Sequence, residues 1–508
     1  MSATLEAASH RRTVWLLAWP LILSNLTVPL LGLVDTAVMG HLPDTRYLGA
    51  VTLGATLFSF LYWGFGFLRM GTTGLAAQRA GADDANGQRL VLAQALGLGA
   101  VIGIGLLALQ VPLIRSGLWL LDGSPEVSHL AEVYARIRMW SAPAVLANYA
   151  LLGWFLGLGN SRYILLLMLT NNLVNIVLDL VFVLGLGMTV GGVALASVIA
   201  DYSALALGLW LARGVMQRIG GTLPGAELLR IGAYRQLVAV NSALFVRTLC
   251  LLFAMAFFTS QSARQGDLLL AANAVLLQFV VLASYGLDGF AHATESLVGR
   301  AIGRKDPALF RSQVRAATEW SILLTLCLSL SYWVGGQALI AALTGIDAVR
   351  TTAAIYLPWV IVMPLVAMWS YLLDGIFIGA TRTRAMRDTM LAAVLFAYLP
   401  AWYVTTGLGN HGLWLALTLF LLARSALLGG VFLREWHQRR WFAQETPADG
   451  ALSSRSRESR QPSSRDSTES THPAPARSDR QPGPVAKSRS AHLRSAADAR
   501  HDQPDSGH

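Results

Sequence analysis

Charge is scarce in this sequence. Asp, Glu, Lys and Arg make up 13% of its 508 residues, against roughly 25% in an ordinary soluble domain. With 54% of the residues hydrophobic, the chain reads as a polytopic membrane protein and not as a soluble enzyme. Cysteine is limited to Cys250 and Cys327, both inside apolar runs, which excludes a disulfide framework and a CxxC metal site. No HExxH and no GxxxxGKS/T occurs, which counts against a zinc protease and an ATP-driven pump. Nor is there a long basic run behind the formal charge of +10: the arginines sit in short loops between apolar segments, a membrane-topology pattern that calls for no nucleic acid.

What is present is a series of apolar segments. Spans are expected at about 14–39, 47–79, 88–114, 127–159, 162–187, 190–213, 237–262, 267–301, 312–343, 348–381, 385–407 and 410–436. The first follows Arg11 and Arg12, has no A-x-A cleavage pattern and holds Asp35, so it is expected to be retained. Twelve spans put both termini on one side. Alternate connections carry Arg79/Arg89, Arg162, Arg213 to Arg235, Arg300 to Arg315, Arg382 to Arg387 and Arg434 to Arg440, so both termini are expected to be cytoplasmic.

The halves echo each other. "GWFLGLGNSR" from Gly153 answers "GIFIGATRTR" from Gly375, and "QRAGADD" from Gln78 answers "RAIGRKD" from Arg300, both 222 residues apart; "GGVALA" from Gly191 answers "HGLWLA" from His411 at 220. Six plus six spans in the same orientation imply two lobes related by an axis along the membrane normal, with a cleft between them, the build of an alternating-access transporter. The expected organisation is a six-helix lobe at 1–213, a cytoplasmic connector at 214–236, a second six-helix lobe at 237–442 and a disordered cytoplasmic tail at 443–508, rich in Ser, Arg, Pro and Asp with no aromatic residue.

Polar residues inside the spans are the candidate site. Asn171, Asn175 and Asp179 recur every four residues in "NNLVNIVLDLVF" and share one helix face. Counting along the helices brings Asp35, Tyr134, Asp179 and Ser197 to one level in the outer half of the bilayer. Two close carboxylates in low dielectric do not both ionise comfortably, so the set is a proton acceptor, or a Na⁺ site if both stay charged. The plainer alternative is that the amides and hydroxyls hold helices together by hydrogen bonds. Pro20 and Pro29 weaken the first helix, where a kink is expected.

"LVDTAVMGHL", "GFGFLRMGTTGLAAQ", "NNLVNIVLDLVFVLGLGMTVGGVALAS" and "GLDGFAHATESLVG" resemble the multidrug and toxic compound extrusion (MATE) family, in its DinF branch, over about residues 10–440. The resemblance implies an all-α, twelve-helix, two-lobed efflux antiporter of the cytoplasmic (inner) membrane. It also implies an ion-coupling site at Asp35, Asn175 and Asp179, with Tyr134 and Ser197 nearby, and a bending first helix at Pro20 and Pro29. The acidic residue that the NorM branch carries on helix seven has no counterpart here, where Arg247 stands, so a NorM-like second-lobe cation site is not expected.

In the second lobe Asp288, His292 and Glu295 lie on one face of the eighth span, at the depth of Arg247 and Asp374, with Arg69 at the equivalent level of the first lobe. These charges read as a self-neutralising network that fixes packing, as a cytoplasmic gate whose arginines release their carboxylates or, third, as direct substrate binding. His292 has no second His or Cys at ligand spacing, which favours a buried hydrogen bond over a metal. Phe58, Phe60, Trp63, Phe65, Phe67 and Met70 run along the second span; most are expected to face lipid or core, and a subset lining the cleft would suit bulky amphipathic cations. The leading expectation is a monomeric exporter of small organic molecules, embedded in the lipid bilayer and exchanging them for H⁺ or Na⁺ with no other cofactor. The alternatives are a lipid-linked precursor flippase of the same superfamily and, further off, a membrane-embedded enzyme.

Overall fold

A computed structural model describes residues 2–40, 44–223, 225–228, 230–438 and 440–442; within these ranges a few side chains, that of Asp35 among them, lie outside the described set. So does the tail expected at 443–508. Helices account for all the regular structure of the described residues. The first, α1 (Ser2–Gly40), is followed by eleven spans long and apolar enough to cross a membrane: α2 (Arg46–Gly81), α3 (Ala85–Ala108), α4 (Pro125–Gly157), α5 (Ser161–Gly185), α6 (Val190–Ile219), α7 (Gly232–Arg264), α8 (Asp267–Gly303), α9 (Pro307–Leu343), α10 (Asp347–Gly379), α11 (Thr383–Leu408) and α12 (Asn410–His437). This is an all-α polytopic membrane protein of two six-helix halves.

Most helix limits follow local chemistry. Asp84 opens α3 by accepting from the Gly87 amide, and Asp306 opens α9 by accepting from Ala308 and Leu309 with Pro307 at the first position. One expectation shifts. The span expected at 88–114 breaks at Leu109, where a separate helix, Gln110–Leu121, begins with Pro112 in its first turn, a position that needs no amide hydrogen. The first helix runs unbroken through Pro20 and Pro29, while Ser24 Oγ donates to the Pro20 carbonyl (2.7 Å) and Thr27 Oγ1 to that of Ser24 (2.7 Å).

The repeat is visible atom by atom. Asp83 and Lys305, 222 residues apart, both take positive φ (53° and 56°), as do Gly159 and Thr381 (76° and 56°). Within each half, Gly153 faces the Arg69 carbonyl and its counterpart Gly375 faces that of Ala291. Between the halves, Gly81 lies on the Arg300 carbonyl and Gly303 on that of Gln78. Gln78 and Arg300 are themselves counterparts, so the seam has the reciprocity of a two-fold dimer. A Cβ at either glycine would strike backbone, which is why these close approaches need glycine.

Helices α1 and α7 cross between the halves: α1 packs on α5 and also on α8 and α9, while α7 packs on α2 as well as α11. Asn25 on α1 donates to the Tyr285 carbonyl on α8 (3.2 Å), Arg11 pairs with Glu319 (2.5 Å), and Trp320 Nε1 donates to the Arg11 carbonyl (3.1 Å). Gln78 Nε2 donates to the Gly379 carbonyl (3.0 Å) and to Thr381 Oγ1 (3.2 Å). Among the described residues, hydrogen bonds between the halves fall from the helix middles toward the end that carries the termini, where the halves are packed together.

Candidate functional site

The polar stripe of α5 faces α6, which runs antiparallel to it, so each rung on one helix meets a rung on the other. Asn171 Nδ2 donates to Asp201 Oδ1 (2.8 Å). One turn on, the Asn175 amide satisfies both its ends when its nitrogen donates to Asp179 Oδ2 (2.9 Å) and its oxygen accepts from Ser197 Oγ (3.0 Å) and the Ser197 amide (3.2 Å). Asp179 is fully buried and Asn175 almost so. The α-helical part of α5 ends at Asp179, and Leu180–Gly185 continues as a π-helix, an irregularity often found at functional positions. The remaining amide, Asn172, donates to Thr27 Oγ1 on α1 (2.9 Å) and ties the two helices together.

Asn175, Asp179 and Ser197 therefore come together as expected. Tyr134 is buried on α4, its ring against Gly54 and edge-on to Phe58 at 6.3 Å. The side chain of Asp35, on α1, lies outside the described residues.

Sequence reasoning missed the other half of this cluster. Arg138 on α4 forms a buried ion pair with Asp201, contacts Ser141 Oγ and sits over the Tyr62 ring at 5.6 Å. Asn148 Nδ2 donates to the Asp201 carbonyl (2.9 Å). The signal was present: Asp201 is a carboxylate inside an apolar span, one turn beyond Ser197. The stripe thus serves two purposes. Asn171 completes an ion pair that fixes α4, α5 and α6, whereas Asn175 serves Asp179.

In the second half the expected charges divide into two groups. Asp374 Oδ2 accepts from Arg247 and also from Arg424 (2.8 Å), all three buried between α7, α10 and α12. Arg424 was not anticipated; it is an arginine inside an apolar span, the same signal as Asp201. The second group spans the seam. Glu295 on α8 is 1% exposed; its Oε1 meets His292 Nδ1 at 2.9 Å and its Oε2 lies 3.9 Å from Arg69 NH1 on α2. Asp288 lies between the groups, within electrostatic reach of His292, Arg69, Arg247 and Glu295. Among the described residues no three His, Cys, Asp or Glu side chains converge as a metal site.

Two six-helix halves related by a repeat, packed together at one end and holding charged side chains between membrane helices, are the build of a membrane transporter. The MatE family model matches residues 20–181 and 243–403, once in each half. Over 443 residues the chain is 43% identical to "DNA damage-inducible protein F" of Escherichia coli (strain K12), covering 86% of this chain and 95% of that one. It is 29% identical to a "Probable multidrug resistance protein NorM" of Xanthomonas axonopodis pv. citri, over 88% and 98% of the two chains. Among solved structures, the outward-facing conformation of a multidrug resistance MATE family transporter of the MOP superfamily superposes with a TM-score of 0.75 at 20% identity, over 85% of this chain and 96% of the other. The chain belongs to the MATE family of transporters.

Proposed function

We propose that this transporter exports small organic molecules, cationic and amphipathic, in exchange for H⁺ (or Na⁺), through alternating exposure of a cleft between its halves. The observation that carries the reading is the buried Asn175–Asp179–Ser197 cluster at the start of the α5 π-helix. A carboxylate at membrane depth costs several kcal/mol (about 2.5–3.5 on insertion scales), so its retention argues for use. Ionised, Asp179 attracts a cation; protonated, it is neutral and lets one go. The Asn175 amide, donating to the carboxylate and accepting from Ser197, suits the ionised form. The second-half carboxylates have cationic neighbours: Asp374 has two arginines and Glu295 faces Arg69 and His292. The printed name of the NorM relative supports organic substrates.

The closed end belongs to the cytoplasmic side, because the arginine-bearing connections and both termini lie there, and the transporter sits in the inner membrane and works as a monomer. Arg69–Glu295 then serves as part of the cytoplasmic gate: it joins α2 of one half to α8 of the other. The test is a set of vesicles loaded with a fluorescent cationic dye, given a pH gradient first without sodium and then with it. Export driven by the pH gradient in wild type and lost in Asp179→Asn supports the reading. Equal rates in both proteins would remove Asp179 from the coupling step, and export only with a sodium gradient would keep the site but change the ion.

A further inference from the structure

After α12 the chain returns to the bundle. Arg440–Phe442 form one 3-10 turn, and Trp441 is buried to 3% exposure. Its ring packs on Phe310 at the start of α9 (5.4 Å), Phe377 at the end of α10 (5.3 Å) and Phe432 on α12 (5.2 Å). Phe442 adds an edge-on contact to Phe310 at 5.8 Å. Arg382, just after α10, lies over the Trp441 ring at 5.7 Å, donates to the Arg440 carbonyl (2.6 Å) and pairs with Glu435 (3.2 Å).

The position of Arg382 gives these contacts their meaning. Its neighbour Thr381 takes φ of 56° and accepts from Gln78 of the first half, as does the Gly379 carbonyl. The turn between α10 and α11 thus touches the opposite half on one side and the C-terminal return on the other. The corresponding turn in the first half, at Gly159, carries the Arg300 guanidinium 2.8 Å from where a Cβ would stand. The chain after α6 has no aromatic residue from Gly220 to Ala233, and Tyr234 beyond it packs on the cluster that holds Trp154, Phe155 and Leu156. Instead Arg89 Nε donates to the Gly220 carbonyl (2.7 Å). The C-terminal return is an addition to one half of a repeated structure.

We infer that Arg440–Phe442 is a brace that holds the α10–α11 turn against the Gln78 end of α2, so that closure of this end depends on a segment outside the twelve membrane helices. Arg382 and Trp441 are its positioning residues. The inference rests on the alternating-access reading, because a brace matters only if this end opens during the cycle. Withdrawing Trp441 removes the ring under Arg382, and moving Arg440 removes the carbonyl it holds; Thr381 then has no support behind its contact with Gln78. A plain anchor for helix ends would lower stability without altering the balance between closed and open forms. A brace shifts that balance.

The experiment uses the full chain in lipid nanodiscs, with Cys250 and Cys327 replaced by Ser and spin labels at Ala82→Cys and Arg384→Cys, one on each half at this end. Pulsed dipolar spectroscopy reads the separation. Trp441→Ala, and a chain truncated after Gln438, should each raise the long-distance population several-fold over the full chain. A chain truncated after Phe442, which keeps the brace, should give the full-chain distribution. Should Trp441→Ala fail to fold, Arg382→Gln leaves the aromatic cluster whole and reads the same shift. Folded variants that keep the full-chain distribution, with or without a lower Tm, overturn the brace. Dye export by the unlabelled full chain is measured in parallel: if it is normal while the brace fails, the transport reading stands alone. If export is absent while the distances shift, the brace and the opening of this end stand, and the dye as substrate falls.

Discussion

Asp179 and Asp374 are both buried carboxylates, yet their partners make them different residues. Asp179 meets an amide, whereas Asp374 meets two guanidinium groups through one oxygen. Asp179→Asn should leave a folded protein that no longer exports dye against a gradient. Asn175→Ala should lower the rate only several-fold, since it deletes a hydrogen bond of about 1–3 kcal/mol to a charged group and no titratable charge. If H⁺ is the coupling ion, export by the wild type should rise as the external pH falls at fixed internal pH, and the Asp179→Asn profile should be flat. For Asp374→Asn the expected outcome is loss of stability, about 3–5 kcal/mol, because two buried arginines lose their counter-ion. Arg247→Met on that background should restore part of it. A double-mutant cycle in detergent, read by thermal unfolding, checks this, and strict additivity would mean that the groups are not coupled. These charges were legible in the sequence because an ionisable residue in an apolar run stands out. What was not legible was the pairing across helices: that Asn171 belongs to Asp201 and Asn175 to Ser197 depends on the register of α5 against α6, which only packing sets.

At the level of helices, the apolar runs announced the spans, since length and hydropathy suffice for that. The interruptions were hidden. The break at Leu109 is marked only by Pro112 three residues on, and the π-helix at Leu180–Gly185 falls within unbroken apolar sequence. Glycine spacing told more than the repeat search used: Gly81 and Gly303 mark where α2 and α8 carry each other's carbonyls. Gly81→Leu or Gly303→Leu should therefore force the closed end apart and abolish export, with the protein still inserted. Gly430→Ala, where nothing lies within 4 Å of the added atom, should be neutral. Export rates and accessibility of the Ala82→Cys thiol to a membrane-impermeant reagent separate the two cases.

For the molecule as a whole, the reciprocal seam means that the halves recognise each other as two subunits would. Cutting the chain in the connector between α6 and α7 and co-expressing the pieces should give a complex that co-purifies through a tag on one half. It should transport at a substantial fraction of the intact rate. Failure of the halves to associate would mean that the seam needs the covalent link to form.

The same reciprocity bears on leakage. A contact whose twin lies across the axis is strained whenever its partner is, so a small rotation loads Gly81 on Arg300 and Gly303 on Gln78 in the same instant. Backbone packed against backbone has no long side chain to stretch, so at these two points the joint is expected to part in one step. A half-open passage, through which ions would run down their gradient without moving cargo, has no place in such a joint. In an antiporter of the kind proposed, tight coupling of ion to substrate would then depend on where Gly81 and its counterpart Gly303 fall in the sequence as much as on any carboxylate.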